Sequence, residues 1–228
     1  MTRILDWRSR HDEESKKYPV RAVVGKKVVV KDTLWKPGAV LDQGQEGACV
    51  GFGWTGELLA EPMPNKTGSA AGSKYAQALY NYAKTIDEFE GVDYDGTSVL
   101  AGAKALKKRN FMGGYHWAFS VEDVRDALVT TGPVVIGIPW FESMYETRPD
   151  GLVEVSGNNV GGHCILLTGY FQKKVFGGKP VEVVQWRNSW GDEYGIHGDA
   201  WVKLEDLATL LKDDGEACLP VDRKPVKL

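Results

Sequence analysis

The amino-acid sequence changes character near Gly132 and Pro133. Upstream of this dipeptide, apolar residues recur at helical spacing, whereas downstream short runs rich in Val, Ile, Trp and Tyr alternate with glycine turns. Helices followed by antiparallel strands predict an α+β protein with two lobes. The length of 228 residues fits one large domain or two lobes that share a core, at roughly 150 residues per domain.

Four helices are predicted in the first half. One of them, at residues 48–60, contains Gly51, Gly53 and Gly56, and each glycine costs a helix interior about 1 kcal/mol relative to alanine. Glycine is favoured there if another backbone approaches closely, so we expect a buried central helix. The other predicted helices are residues 73–84, a helix capped by Thr97 that continues to about Arg109, and a helix from the Ser120 capping box to Gly132.

The strands are predicted from short apolar runs bounded by turn residues. The sequence KVFGGKP joins two of these runs and predicts a hairpin, and a short helix is predicted at residues 205–213. The predicted strands are residues 26–31, 134–138, 152–155, 164–171, 181–187 and 200–204.

Charge and cysteine content exclude several classes of protein. The net charge of −3 gives no basic surplus for nucleic acid, and the longest apolar run, PVVIGIPWF, is far shorter than the roughly 18 residues of a membrane span. The N-terminus has no apolar signal region, and three cysteines cannot form a disulfide scaffold. The cysteine content therefore favours the cytoplasm or another reducing compartment, although a Cys164–Cys218 disulfide stays open. We also expect a monomer. No metal-ligand or phosphate-binding spacing is present.

Cys49 stands at the start of the predicted central helix. The N–H groups and partial positive charge of a helix N-terminus stabilise a thiolate and lower the pKa of a thiol from about 8.5. Gln43, six residues earlier, can donate a hydrogen bond to an oxyanion, as can the Cys49 N–H. His163 follows two glycines and is a candidate general base, while Asn188, close to Trp190, can orient an imidazole.

Three blocks of the sequence, in this order, resemble the papain-like cysteine peptidases. The family's nucleophile block is matched by VLDQGQEGACVGF, its His block by GGHCILLTGY and its Asn-Ser-Trp-Gly block by VVQWRNSWGDEYGIHGDAWV. The resemblance covers about residues 35–204 and is closest to the disulfide-poor bacterial or bacteriophage type. It implies a helical lobe at about 35–131, whose central helix carries the cysteine, packed on an antiparallel, barrel-like β lobe at about 132–228. Residues 1–34 are then an N-terminal extension.

The resemblance also implies roles for individual residues. Cys49 is the nucleophile, His163 the general base and then acid, Asn188 the orienting group and Gln43 the oxyanion donor, with Trp190 covering the His–Asn pair. The implied activity is that of an endopeptidase that hydrolyses peptides or proteins without a cofactor. The implied substrate-binding residues are Asp95, Gly96, Thr97, Gly137, Gly161, Gly162 and Trp190.

Two positions depart from the family's pattern. Val50 replaces the aromatic residue that usually follows the nucleophile, and Glu46 replaces a common disulfide cysteine. The 34 residues before the matched region are too few for a separately folded inhibitory pro-region. Two other functions stay open: a catalytically silent peptide-binding module with residues 1–34 in the cleft, and an amidase or transamidase that uses the same Cys–His pair.

Overall fold

The computed structural model describes residues 3–10, 13, 15–25, 27–91, 94–225 and 228. Within them, helices and antiparallel strands confirm the α+β class. The helices are α1 (Arg21–Val24), α2 (Cys49–Leu59), α3 (Ser69–Lys84), α4 (Val99–Lys108), α5 (Val121–Thr130) and α6 (Leu204–Lys212). The strands are β1 (Thr33–Leu34), β2 (Gly114–Ala118), β3 (Val134–Phe141), β4 (Asn159–Phe176), β5 (Lys179–Arg187), β6 (Asp199–Lys203) and β7 (Glu216–Val221).

One antiparallel sheet contains all seven of these strands, in the order β2-β7-β3-β4-β5-β6, with β1 paired to β4. The central strand, β4, has three neighbours and carries His163 near its start. The predicted hairpin joins β4 to β5, and Gly177 and Gly178 at its tip have positive φ angles of 54° and 78°. At His163, β4 is paired with β3 through Ile138, and from Leu166 onward it is also paired with β5, so the sheet fixes the strand that carries His163.

Helix α2 lies at the centre of the molecule, as its glycines predict. Ten of its eleven residues are buried, so it has no solvent-facing side. A Cβ built on Gly51 would lie 2.2 Å from the carbonyl oxygen of Ala76 in α3, and one on Gly53 would lie 2.8 Å from the Cys164 Sγ. These two glycines let the Cys49 helix approach both α3 and β4 closely.

The apolar core is divided by the sheet. Side chains of one face, such as Val135 and Cys164, pack with α2 and α4, whereas their neighbours Ile136 and Ile165 pack on the opposite side with α5 and α6. This alternation follows from the two-residue period of a strand. Helix α5 packs with the β-lobe core although it precedes Pro133. The lobe boundary near residue 132 that was assigned from the sequence remains a proposal.

Two predicted strands are wrong. Residues 27–31 of the predicted strand 26–31 form no ladder, and residue 26 lies outside the described residues. Val28 and Val30 pack on the core while Val29 is exposed, so the alternation is present but no strand pairs with it. Residues 152–155 form only a bridge between Leu152 and Trp201. In both cases the side-chain pattern is that of a strand, but the backbone lacks a continuous partner.

Two further details differ from the sequence prediction. The cap of α4 is Ser98, whose Oγ accepts from the Ala101 N–H at 2.9 Å, because the Thr97 hydroxyl donates to Asp87 instead. Strands β2 and β7 were not predicted, and they pair with each other across about 100 residues of sequence. Ser120 caps α5 as predicted, accepting from the Asp123 N–H at 3.1 Å.

Candidate active site

Cys49 is the first residue of α2 and is fully buried. The Ala48 cap supplies no side-chain hydrogen bond, and the Val50 N–H of the first helical turn points to the thiol. Burial nevertheless raises the pKa of Cys49 to about 11, although backbone hydrogen bonds from Cys164, Asp6 and Val50 lower it. The sequence predicts a lowered pKa, and the structure reverses that direction because the sulfur is shut off from water.

His163 and Asn188 form a buried pair. The His163 Nε2 lies 2.8 Å from the Asn188 Oδ1, which also accepts from the Ser189 N–H at 2.7 Å. An amide oxygen only accepts, so Nε2 carries the proton and Nδ1 of the neutral ring has a free lone pair. Among the described residues, Nδ1 has no hydrogen-bond partner. Burial lowers the pKa of His163 to about 4, against the opposing effect of Asn188.

Aromatic rings enclose this pair. Trp190 stacks on His163 with ring centroids 4.7 Å apart and an interplanar angle of 30°, and Trp140 meets the imidazole edge-on at 4.8 Å. Tyr145 and Tyr194 in turn pack against Trp190. The structure therefore places Trp190 over the His–Asn pair, where it excludes water from their hydrogen bond.

Gln43 is tied to the same loop as Asn188. Its backbone N–H donates to the Ser189 carbonyl at 2.9 Å, and its Oε1 accepts from the Ser189 hydroxyl at 2.7 Å. This second bond points the Nε2 group away from Ser189, and Nε2 donates to the carbonyls of Glu46 at 2.8 Å and Ile4 at 3.3 Å. The amide of Gln43 is thus oriented as a donor, and a carbonyl oxygen already lies in front of it.

The carbonyl of Ile4 belongs to a segment that crosses the cleft. We call residues 3–10 the strap. The Trp7 N–H donates to the Gly162 carbonyl at 2.9 Å, and the Arg8 N–H donates to the Thr97 carbonyl at 3.1 Å. The strap therefore forms backbone bonds with two of the predicted substrate-binding residues.

The remaining predicted substrate-binding positions also face the strap. A Cβ on Gly137 would lie 2.0 Å from the Trp7 Nε1, and a Cβ on Gly96 would lie 1.7 Å from the Asp6 carbonyl oxygen. Gly161 approaches Leu5 in the same way, at 3.0 Å, and the carboxylate of Asp95 acts on Asp6 electrostatically. Glycine keeps the cleft open enough for a backbone to lie in it.

Sequence reasoning missed one residue of this cleft, Glu216. The Trp7 Nε1 donates to Glu216 Oε2 at 3.1 Å, and the Arg10 N–H donates to Oε1 at 2.7 Å. Glu216 is fully buried at the start of β7, and burial raises its pKa to about 7. The signal for Glu216 in the sequence was a carboxylate directly before the apolar run ACLPV.

Other predictions concern what the site does not contain. Cys49, Cys164 and Cys218 are all free thiols, so the Cys164–Cys218 pairing left open by the sequence is not formed here. The described residues hold no cluster of three or more His, Cys, Asp or Glu suited to a metal ion. Among the same residues, no helix has the length and apolar character needed to cross a membrane.

Solved structures with a similar fold include xylellain, a cysteine protease from Xylella fastidiosa. It matches with a TM-score of 0.67 and 16% identity over 96% of both chains. Digestive procathepsin L 3 of Tenebrio molitor matches with a TM-score of 0.62 and 17% identity, over 89% of this chain and 73% of that one. These identities are low, so the likeness shows the fold alone.

Sequence comparison gives a curated relative and a family. Cathepsin B of Dictyostelium discoideum is 31% identical over 103 residues, which is 44% of this chain and 30% of that protein. The chain thus matches less than a third of that relative's length. The model of the papain family cysteine proteases matches residues 65–209, a range that includes His163 and Asn188 and begins after Cys49. The chain belongs to the papain family of cysteine proteases.

Proposed function

We propose that the chain is a cysteine endopeptidase in which Cys49 and His163 perform acyl transfer to water. The observation that carries the proposal is the tautomer of His163. Its Nε2–H is held by Asn188 at 2.8 Å, which leaves Nδ1 as the basic atom of a buried ring. The N–H of Cys164, the next residue, points to the Cys49 sulfur, so the strand that carries the base also contacts the nucleophile.

The proposed reaction begins with transfer of the thiol proton of Cys49 to Nδ1 of His163. The thiolate then attacks a peptide carbonyl carbon, and the oxyanion is stabilised by the Gln43 Nε2 and the Cys49 backbone N–H. His163 returns its proton to the leaving amine as the thioester forms. Water, deprotonated by His163, then hydrolyses the thioester.

The proposed substrates are extended peptides. The carbonyls of Gly162 and Thr97 accept backbone N–H donors from the strap, and a substrate backbone would use the same acceptors. Gly96, Gly137 and Gly161 have no side chain to obstruct such a backbone. Substrate binding in this cleft requires that the strap leave it.

Strap occupancy favours one alternative, a catalytically silent peptide-binding module. Two measurements separate it from the endopeptidase: cleavage of a peptide library by the wild type and by Cys49→Ala, and labelling by a peptidyl epoxide. We expect cleavage by the wild type alone and labelling of Cys49 alone among the three thiols. Binding without cleavage would support the silent module. Labelling of Cys164 or Cys218 would refute the assignment of the nucleophile.

An amidase or transamidase would use the same Cys–His pair. Adding a primary amine to the cleavage reaction distinguishes it, because a transamidase transfers the acyl group to the amine in preference to water. We expect hydrolysis products to dominate. A predominant amide product would replace the endopeptidase proposal.

A further inference from the structure

Two buried donors beside the His163–Asn188 pair have no hydrogen bond among the described residues. They are the Nδ2 group of Asn188 and the Nε1 group of Trp186. The other end of the Asn188 amide is already used, because Oδ1 accepts from His163 and from the Ser189 N–H. A buried donor that lacks an acceptor destabilises the fold. An acceptor is therefore expected close to both groups.

The Tyr194 hydroxyl has the capacity to accept from both donors. Tyr194 is buried, and its hydroxyl donates to the Met144 carbonyl at 3.2 Å. That bond uses the only proton of the hydroxyl and leaves its lone pairs free. Burial raises the pKa of Tyr194, whereas the side chains of Trp186 and Asn188 lower it. Hydrogen bonds donated to a phenolic oxygen have this lowering effect, and an indole N–H can only donate, so both side chains turn donors toward that oxygen.

Backbone contacts hold Tyr194 in a fixed relation to Asn188. The Gly198 N–H donates to the Tyr194 carbonyl at 2.9 Å, and the Gly198 carbonyl accepts the Asn188 N–H at 2.9 Å. The Tyr194 ring also meets Trp190 edge-on, with ring centroids 5.2 Å apart, and Trp190 stacks on His163. The loop that carries Asn188 therefore also places the hydroxyl.

We propose that the Tyr194 hydroxyl positions the Asn188 amide by accepting from its Nδ2 group, an inference that deepens the peptidase function proposed above and rests on it. The two ends of an amide have almost the same size, so shape alone does not choose between them. With Nδ2 bound to the hydroxyl, Oδ1 stays directed at His163. A reversed amide would turn N–H groups toward the Nε2 proton of His163 and the Ser189 N–H, and the tautomer with a basic Nδ1 would lose its support.

Tyr194→Phe tests this role, because it keeps the ring beside Trp190 and removes only the hydroxyl. We measure hydrogen exchange of the Asn188 side-chain amide and of the His163 Nε2 proton by NMR, in the Cys49→Ala protein. Both exchange rates should rise at least about threefold in Tyr194→Phe. Unchanged rates would overturn the proposal. This readout does not depend on catalysis.

Tyr170→Phe is the matched control. Tyr170 and Tyr194 belong to the same apolar core, and the Tyr170 hydroxyl donates to Glu182. Removing that hydroxyl should lower stability and leave the exchange of Asn188 and His163 unchanged. An equal rise in exchange in both variants would show a general loosening of the core and would overturn the proposal.

Steady-state kinetics of the intact Cys49 protein test the consequence for the reaction. Tyr194→Phe should lower kcat about three- to tenfold and leave KM nearly unchanged, because Asn188 acts through His163 in the chemical steps. In the Asn188→Ala protein the same change should lower kcat no further, since the amide that the hydroxyl positions is absent. An equal further loss in that protein would assign the effect to the fold as a whole and overturn the proposal.

Two outcomes separate this inference from the proposed function. A protein without peptidase activity in every form refutes the function, while the exchange rates still decide whether Tyr194 positions Asn188. If Tyr194→Phe does not fold, a nuclear Overhauser effect between the Asn188 amide protons and Tyr194 in the Cys49→Ala protein decides the same point. Its presence supports the contact, and its absence overturns it.

Discussion

His163 donates its Nε2 proton to the Asn188 side chain across 2.8 Å, beneath the ring of Trp190. The same asparagine oxygen accepts the Ser189 N–H, so its direction is fixed by the backbone and not by the histidine. The imidazole is therefore held in one orientation before any substrate arrives.

Replacing Asn188 should impair catalysis through this orientation. Asn188→Ala removes the acceptor that fixes the tautomer of His163, and we expect kcat to fall by at least about tenfold. Steady-state kinetics measure the loss of kcat, and a thermal unfolding curve shows whether the fold is retained. Asn81→Ala, on the exposed side of α3, is the matched control, and an equal loss of kcat there would contradict the interpretation.

Gln43 should act on the transition state more than on substrate binding. Gln43→Ala removes an oriented Nε2 donor, and the loss of one such donor costs about 10²–10³-fold in kcat. We expect KM to change little because the oxyanion exists only after attack. Gln45→Ala, exposed in the same loop, should behave as the wild type. A change confined to KM would show that Gln43 binds substrate without stabilising the oxyanion.

The buried pair of Arg223 and Glu57 predicts a pH-dependent loss of stability. Burial raises the pKa of Glu57 to about 7 although Arg223 lowers it, so its protonated form stabilises the fold and that contribution is lost as the pH rises from about 4.5 through 7. Arg223→Ala leaves Glu57 without its cation and should cost about 3–5 kcal/mol of unfolding free energy at pH 8. The cost should be smaller at pH 5.5, where Glu57 can protonate.

Urea denaturation of both proteins at the two pH values measures the difference. Arg148→Ala provides a control because its pairs with Asp150 and Glu154 are exposed, and such pairs contribute about 0–1 kcal/mol. A cost for Arg223→Ala that did not depend on pH would show that Glu57 stays in one protonation state.

Alanine substitutions at two glycines of α2 should change the stability of the fold in opposite directions. At Gly51 the added Cβ meets the backbone of Ala76 at 2.2 Å, so Gly51→Ala should destabilise the fold by about 1–3 kcal/mol. At Gly56 the nearest atom is a Leu166 methyl group at 3.7 Å, so Gly56→Ala should gain up to about 1 kcal/mol from helix propensity. Chemical denaturation distinguishes the two, and stabilisation by both would show that α3 can shift.

Local sequence was sufficient where the structural cause is local. The glycines of α2 predicted its burial. The three sequence blocks that contain Cys49, His163 and Asn188 predicted residues that the fold brings to one region. Ser120 was identified as a cap because its partner lies three residues away. Catalytic roles for these residues remain predictions.

Long-range contacts were beyond such reasoning. The bond between Trp7 and Glu216 joins residues 209 apart, and neither position carries a local pattern that points to the other. Strands β2 and β7 were missed for the same reason, since each is short and becomes a strand only through its partner. The pKa of Cys49 was predicted in the wrong direction because the helix N-terminus is visible in the sequence, whereas the segment that covers it is not.

Because the strap belongs to the chain that it blocks, it meets the cleft at a constant effective concentration, of the order of millimolar for short flexible connections. Dilution of the protein does not change that concentration, and a separate peptide of the same sequence would have to be supplied at similar levels to match it. A peptide that binds this cleft has to displace the strap first. The fraction of molecules with the strap in place is therefore independent of how many molecules are present.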